Sequence, residues 1–226
     1  MQYHHVISGR FLQRPNRFIA HVETQDGVQI VHVKNTGRCK ELLVPGATVY
    51  LEKSGNPNRK TAYDLIAVEK GKLLINMDSQ APNQVFDEWV RLGAFCGEVR
   101  AVYREFTYGA SRLDFALETA RGLHLVEVKG VTLEEQGEAR FPDAPTERGI
   151  KHIHELQRAV ESGLDATLFF VVQMKDVRSF APNNVTHPAF GAALREAAAA
   201  GVEVCAYDCE VEPGSLQIRR RIPVIL

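Results

Sequence analysis

Two carboxylates and an amine stand close together in the middle of this chain. Asp114 lies in a short apolar run, Leu113–Leu117, and Glu127 and Lys129 lie in the next one, Leu123–Val131. The tripeptide Ala120-Arg121-Gly122 separates the runs, so the two read as a β-hairpin. Side chains alternate along a strand, which sends Glu127 and Lys129 to one face and Val126 and Val128 to the other. The hairpin brings Asp114 across from the charged pair. Burying such a pair is costly unless it is paired or holds an ion. Two carboxylates about 4 Å apart repel by roughly 4 kcal/mol at an effective dielectric near 20. A divalent cation removes that repulsion, and Mg²⁺ suits one or two carboxylates plus waters and substrate phosphates. A lysine two residues from a metal-ligating glutamate can orient an attacking water or steady developing negative charge. The spacing D-x₁₂-E-x-K therefore fits a metal-dependent phosphodiesterase site. The competing reading is a salt-bridged strand at a sheet edge, because E-x-K alone is common.

The elements that must position these residues lie in the second of two domains. Ser79-Gln80-Ala81-Pro82 breaks the pattern, and the boundary is expected there, giving domains 1–80 and 81–226. Asn83 is read as the cap of a helix running to about Phe95 and ended by Gly97, with Val85, Trp89 and Leu92 as its apolar stripe. A strand over Val99–Thr107 follows, then the Asp114 strand and the Glu127 strand. Glu105 either lies near the metal site or pairs with Arg112, which flanks Asp114. Thr132–Pro145 reads as a polar loop above the site. Pro142-Asp143 lies there, and Asp143 could contact substrate. Thr146 caps a helix to about Ser162 whose core face is Ile150, Ile153, Leu156 and Val160. Arg148, Lys151, His152 and Glu155 sit near its start; they read as a solvated helix start, or with Lys151 and His152 as phosphate contacts and Glu155 on the His152 face. Thr167–Gln173 is a nearly continuous apolar run and reads as a central strand. A loop over Asp176–Pro188 leads to a helix over Ala189–Ala200 and a strand over Val202–Tyr207, a βαβ unit. Ser215–Val224 reads as a last strand carrying the basic run Arg219-Arg220-Arg221, which is either a solvated edge or a nucleic-acid contact.

The first 80 residues read as a small β domain. Strands are expected over Arg17–Glu23, Val28–Lys34, Ala47–Lys53, Ala62–Lys70 and Lys72–Met77, with turns at Gln25-Asp26-Gly27, Pro45-Gly46, Ser54–Asn58 and Lys70-Gly71. Five short strands fit a small OB-like barrel, and an SH3-like barrel meets the same pattern. Arg14-Pro15-Asn16-Arg17-Phe18 is expected to open a strand. Asn35-Thr36-Gly37-Arg38 closes one. Arg17, Asn35 and Arg38 are candidate nucleic-acid contacts, since guanidinium groups suit phosphates and a glycine lets a backbone approach. Phe18 could stack on a base or sit in the core. Tyr50 is read as core.

Composition is that of an ordinary globular protein, with 45% hydrophobic and 24% charged residues. No apolar run is long enough to span a bilayer and the N-terminus lacks a signal-peptide pattern, so a cytoplasmic protein without membrane contact is expected. Four cysteines, 39, 96, 205 and 209, read as reduced. The net charge of −1 hides an asymmetry. Residues 1–80 carry 11 Lys and Arg against 7 Asp and Glu, a net of +4; the rest carry 16 against 21, a net of −5. A basic domain beside an acidic one suits polyanion binding together with metal binding. No P-loop, dinucleotide fingerprint or Gly-x-Ser-x-Gly is present.

The order Asp114…Glu127-x-Lys129 resembles the PD-(D/E)-x-K nuclease superfamily. The wider wording resembles the sugar fermentation stimulation protein (SfsA) family: RFIAHV, NTGRCKELLVPG, APN, E-x-x-YGASRLDF, VEVKGVTL, FPDAPTERGIKHIHEL and FFVVQ, then A-x-x-GVEV-x-AY, in order across nearly the whole chain. That resemblance implies an N-terminal OB-like barrel, a restriction-endonuclease-like α/β domain with a mixed sheet, and DNA binding. Two functions follow. In one, the chain is a nuclease: Asp114, Glu127 and the Val128 carbonyl hold Mg²⁺ or Mn²⁺, and Lys129 assists attack on a phosphodiester. Arg17, Asn35, Arg38, Arg112, Arg148 and Lys151 then grip DNA, and Glu105 and His152 stand near the site. In the other, it is a non-catalytic DNA-binding regulator of sugar metabolism on a nuclease-derived scaffold. Oligomeric state stays open, a homodimer included.

Overall fold

In the computed structural model of this protein, all residues except Thr36, Pro57 and Cys96 are described. Those three, which belong to the Asn35–Arg38 phrase, the Ser54–Asn58 turn and the reduced cysteines, lie outside the described residues. The chain opens with a barrel of β1 (Val6–Asn16), β2 (Ile19–Thr24), β3 (Gly27–Val33), β4 (Thr48–Lys53) and β5 (Tyr63–Lys70), extended by β6 (Leu73–Asn76). Neighbours run β3-β2-β1-β4-β5-β6, and a parallel pairing of β3 with β5 at His32↔Asp64 and Val33↔Leu65 closes the barrel. This is the OB arrangement. Inward residues such as Phe11, Val22, Val31, Leu51 and Leu65 alternate with outward polar ones and are fully buried.

β1 is a correction. The Arg14–Phe18 phrase does not open a strand; it closes the longest strand of the barrel and turns into β2. Gly9 and the polar outward face hid β1, because only one side of it is apolar. Tyr50 also differs: it is half-buried, and its hydroxyl donates to Glu69 at 2.8 Å.

The second part is a six-stranded mixed sheet, in the order β15-β14-β12-β9-β8-β7, covered on both faces. Its members are β7 (Val99–Tyr108), β8 (Ser111–Thr119), β9 (Gly122–Val131), β12 (Asp165–Val172), β14 (Glu203–Glu212) and β15 (Ser215–Ile222). β7, β8 and β9 are consecutive and antiparallel, while β12 lies parallel between β9 and β14. Helices α2 (Glu147–Glu161) and α3 (Pro188–Ala199) make these parallel crossovers and pack on one face. Helix α1 (Ala81–Arg91) covers the other. β12 is apolar on both sides because both of its faces are buried.

Helix α1 starts three residues before the expected position and ends four residues before it. Pro82 sits in its first turn, where a missing N–H costs nothing, and Gly93 with φ +76 stands just past its end in place of Gly97. Asn83 is thus inside the helix, not its cap. Leu92 is exposed, and the buried stripe is Ala81, Val85, Phe86 and Val90. Trp89 packs on Phe169 and Tyr207. Thr132–Pro145 is not a loop. β10 (Leu133–Glu135) and β11 (Glu138–Phe141) form a hairpin, and β11 pairs in parallel with β13 (Ser179–Pro182), which lies inside the expected second loop. Strands of three or four residues with alternating charges give too little period to read.

The two parts are tied by buried polar contacts. Gln173 donates to Asn76 Oδ1 at 2.8 Å and to the Asp78 carbonyl at 3.0 Å. Lys70 pairs with Glu134 across the junction at 2.7 Å, and within the first part Lys34 pairs with buried Asp78 at 2.5 Å. Cys39, Cys205 and Cys209 are buried and unbridged.

Candidate functional site

The site forms where β8 forks away from β9. The two strands pair from Thr119↔Gly122 back to Phe115↔Val126, and no further. β8 continues alone beside β7 to Tyr108↔Ser111. Beyond the fork, the Val128 N–H has lost its strand partner, and the Asp114 carboxylate takes its place, with Oδ2 accepting at 2.9 Å. A strand residue's N–H and C=O point to the same edge, so the Val128 carbonyl also faces the fork. Glu105 sits opposite Asp114 on β7 with a φ of +54, a conformation unusual for a residue with a Cβ.

Asp114 is fixed from the far side by α1. Asn83 Nδ2 donates to Asp114 Oδ1 at 2.8 Å. The helix is pinned there by Phe86, whose ring lies 4.9 Å from Phe115 and 4.8 Å from Phe169; such aromatic pairs contribute about 0.5–1.5 kcal/mol each. Close approach also needs Gly130, the residue after Lys129. A Cβ there would meet Gln173 at 2.5 Å and the Pro82 ring at 2.6 Å.

Glu127 is 2% exposed and points to the α2 face. Its Oε1 accepts from both Lys129 Nζ and His152 Nδ1, while Oε2 accepts the Asp114 N–H at 3.3 Å. Arg148 Nε donates to His152 Nε2 at 3.4 Å. α2 delivers His152 because Thr146 caps it, accepting the Gly149 N–H at 3.0 Å. The β7–β8 turn is held against α2 at Gly109, whose φ of +56 and contact with Glu155 leave no room for a Cβ.

Electrostatics separates the two acids. Burial, then repulsion from Glu127, pushes the Asp114 carboxyl above its ordinary range, and the Lys129 charge offsets this only in part. Burial also opposes charge on Glu127, but the His152 hydrogen bond and the Lys129 charge outweigh it and hold that carboxyl below its ordinary range. Two carboxylates, one buried and one half-buried, face one amine, leaving negative charge in excess.

Asp114, Glu127, Lys129, the Val128 backbone, His152 and Arg148 thus converge. The other candidates do not. Arg112 pairs with Glu105 at 2.8 Å on the exposed edge of β7. Lys151 Nζ donates to the Ala110 carbonyl at 2.8 Å. Asn35 Oδ1 caps its own turn, accepting the Gly37 N–H at 2.8 Å. Arg17 and Arg38 lie apart, in a cleft on the barrel side. Asp143 lies against Gly37 across the domain junction. Phe18 is not core: it is 52% exposed. Arg219, Arg220 and Arg221 pair with Asp208, Asp176 and Glu203. Asn83 was missed as a site residue, although the APN phrase carried it. Among the described residues, no group of three or more His, Cys, Asp or Glu is arranged to hold a metal ion.

An OB-type barrel followed by a mixed-sheet α/β domain, with two acids and a lysine at a strand fork, defines the class of protein. Family models agree over most of the chain: the SfsA N-terminal OB domain matches residues 12–77, and the sugar fermentation stimulation protein RE domain matches residues 80–215. The chain belongs to the sugar fermentation stimulation protein (SfsA) family. It is 54% identical over 217 residues to the sugar fermentation stimulation protein homolog of Desulfitobacterium hafniense (strain Y51), covering 96% of this chain and 95% of the relative. The homolog of Ruminiclostridium cellulolyticum is 52% identical over 226 residues, the full length of both. Among solved structures, Pyrococcus furiosus SfsA in complex with Ca²⁺ superposes with a TM-score of 0.92 at 29% identity, covering 100% of this chain and 98% of that one. No helix among the described residues is long and apolar enough to cross a membrane.

Proposed function

We propose that this protein binds DNA and cleaves phosphodiesters with a divalent metal ion held at the fork. The observation that carries the reading is the convergence of half-buried Asp114 and buried Glu127 on Lys129. The residues fit a hard cation. Burial and mutual repulsion raise the proton affinity of Asp114, and a divalent cation would satisfy the same excess negative charge. Asp114, Glu127 and the Val128 carbonyl would hold Mg²⁺ or Mn²⁺; when bound, it supplies positive charge that stabilises the transferring phosphoryl group. The Pyrococcus furiosus relative was solved in complex with Ca²⁺, which supports a hard-cation site in this fold.

The chain's own residues supply the rest. Asn83 and the Val128 N–H keep the Asp114 carboxylate in one rotamer. His152, backed by Arg148, does the same for Glu127. Lys129, held beside Glu127, has its ammonium positioned to donate to a phosphate oxygen or orient the attacking water. The basic barrel domain, through Arg17 and Arg38, contacts the polyanion.

A second reading, DNA binding without turnover, is favoured by one observation: every Asp114 and Glu127 carboxylate oxygen already accepts a protein donor. The separating experiment incubates the full chain with single-stranded, duplex and branched DNA and with RNA, in Mg²⁺ or Mn²⁺, beside Asp114→Ala and Lys129→Ala. Products formed by the wild type and reduced by about 10²–10⁴ in the variants are expected. Binding without products in any metal establishes the regulator, and equal products from both variants mark a contaminant.

A further inference from the structure

One large cleft among the described residues is not at the fork. It opens beside β1, on the barrel side of the domain junction, with a volume of about 780 Å³. Arg14, Arg17, Arg38 and Lys40 line it, and no Asp or Glu does. Arg14 is consumed by the backbone: it donates to the carbonyls of Arg17 and Asn35 at 2.7 Å, of Arg38 at 2.9 Å and of Gly37 at 3.0 Å. That rivet fixes the segment carrying the other cations. Arg17, Arg38 and Lys40 are exposed and make no ion pair among the described residues. Elsewhere most surface arginines have a carboxylate partner, so this cleft concentrates cationic charge that the fold itself does not use.

The cleft continues toward the strand that carries Lys129. A second space of about 330 Å³, lined also by Asp143, shares Gly37, Ala144 and Pro145 with it and reaches the Gly130 backbone, the residue after Lys129. Its walls belong to both domains, which Lys70–Glu134 and Gln173–Asn76 hold in register. Both volumes lie in the range of about 300–1,000 Å³ typical of sites that enclose one small ligand. A B-form duplex, whose major groove alone is about 12 Å wide, does not enter such a space.

We infer that this cleft seats an unpaired nucleic-acid segment, so that the strand reaching the fork is single. Phosphates lie on Arg17, Arg38 and Lys40, bases lie over the apolar Leu43 and Pro45, and the strand passes Gly37 to Lys129. The inference rests on the proposed nucleic-acid function and deepens it by naming the form of the substrate.

The test is fluorescence anisotropy in EDTA, where cleavage is suppressed, with the full chain, a labelled single-stranded oligonucleotide and the blunt duplex of the same sequence. The single strand is expected to bind at least about tenfold more tightly than the duplex. The triple variant Arg17→Ala/Arg38→Ala/Lys40→Ala is expected to lower the salt slope for the single strand by about 2, three phosphate contacts at about 0.7 each. The single variant Arg38→Gln, with its melting temperature checked, gives the same direction if the triple variant does not fold. Duplex bound as tightly as single strand, or variants that bind with an unchanged slope, overturns the inference and leaves the proposed function standing. No binding of either form by the wild type overturns both.

Discussion

At the scale of single residues, the site holds together by dividing labour between two acids. Glu127 is ion-paired with Lys129 and hydrogen-bonded by His152, while Asp114 accepts hydrogen bonds but has no ion pair of its own. A carboxyl whose affinity for protons is raised on folding costs the folded state stability wherever it is ionised. That cost is absent at low pH, where Asp114 is protonated in both states, and appears as pH rises through the range between its unfolded and folded values. Asp114→Asn should therefore stabilise the metal-free protein at neutral pH. For about 1 kcal/mol, the melting temperature should rise by about 2–4 °C. The same variant should lose any stabilisation by Mn²⁺, because its charge is gone. Thermal melts with and without Mn²⁺ check both, and a lower melting temperature in EDTA argues against the strained carboxylate. The acid-acid-lysine set was legible because its spacing spans one hairpin. Its supports were not: Asn83 reaches Asp114 from 31 residues away and His152 reaches Glu127 from 25 residues away, distances over which sequence periodicity says nothing.

At the scale of elements, what matters is how α1, α2 and the fork are locked to one another. The cap at Thr146 and the apolar face of α2 were readable, since a cap and a 3.6-residue period are local signals. Thr146→Ala should cost about 1 kcal/mol. It should also weaken Mn²⁺ binding, because the first turn of α2 carries Arg148 and sets the height of His152 over Glu127. Calorimetry beside a melt checks this; a loss of stability with unchanged affinity would make the helix a support for the core alone. The β10–β11–β13 sheet was illegible for the opposite reason. Its strands are three or four residues long, and a parallel pairing joins segments about 40 residues apart. β1 was missed because Gly9 and a polar outer face mask its inward residues, although the five strands after it lie where alternation placed them.

At the scale of the whole molecule, the sequence carried a division of charge, with the barrel basic and the second domain acidic. The fold turns that bulk imbalance into places. Cations without carboxylate partners line one cleft beside the barrel, and the two acids and Lys129 gather separately at the strand fork. Which arginines would collect there could not be read from composition. Arg14 and Arg17 are three residues apart, yet one rivets backbone carbonyls and the other faces the cleft. The arrangement has a purpose only if the fork seats a cation. The most direct measurement is anomalous X-ray scattering from a crystal of the full chain soaked in MnCl₂. A peak between the Asp114 and Glu127 carboxylates, within reach of the Val128 carbonyl, is the expected result; a fork without a peak while Mn²⁺ binds elsewhere, or nowhere, would contradict the assignment of the metal site.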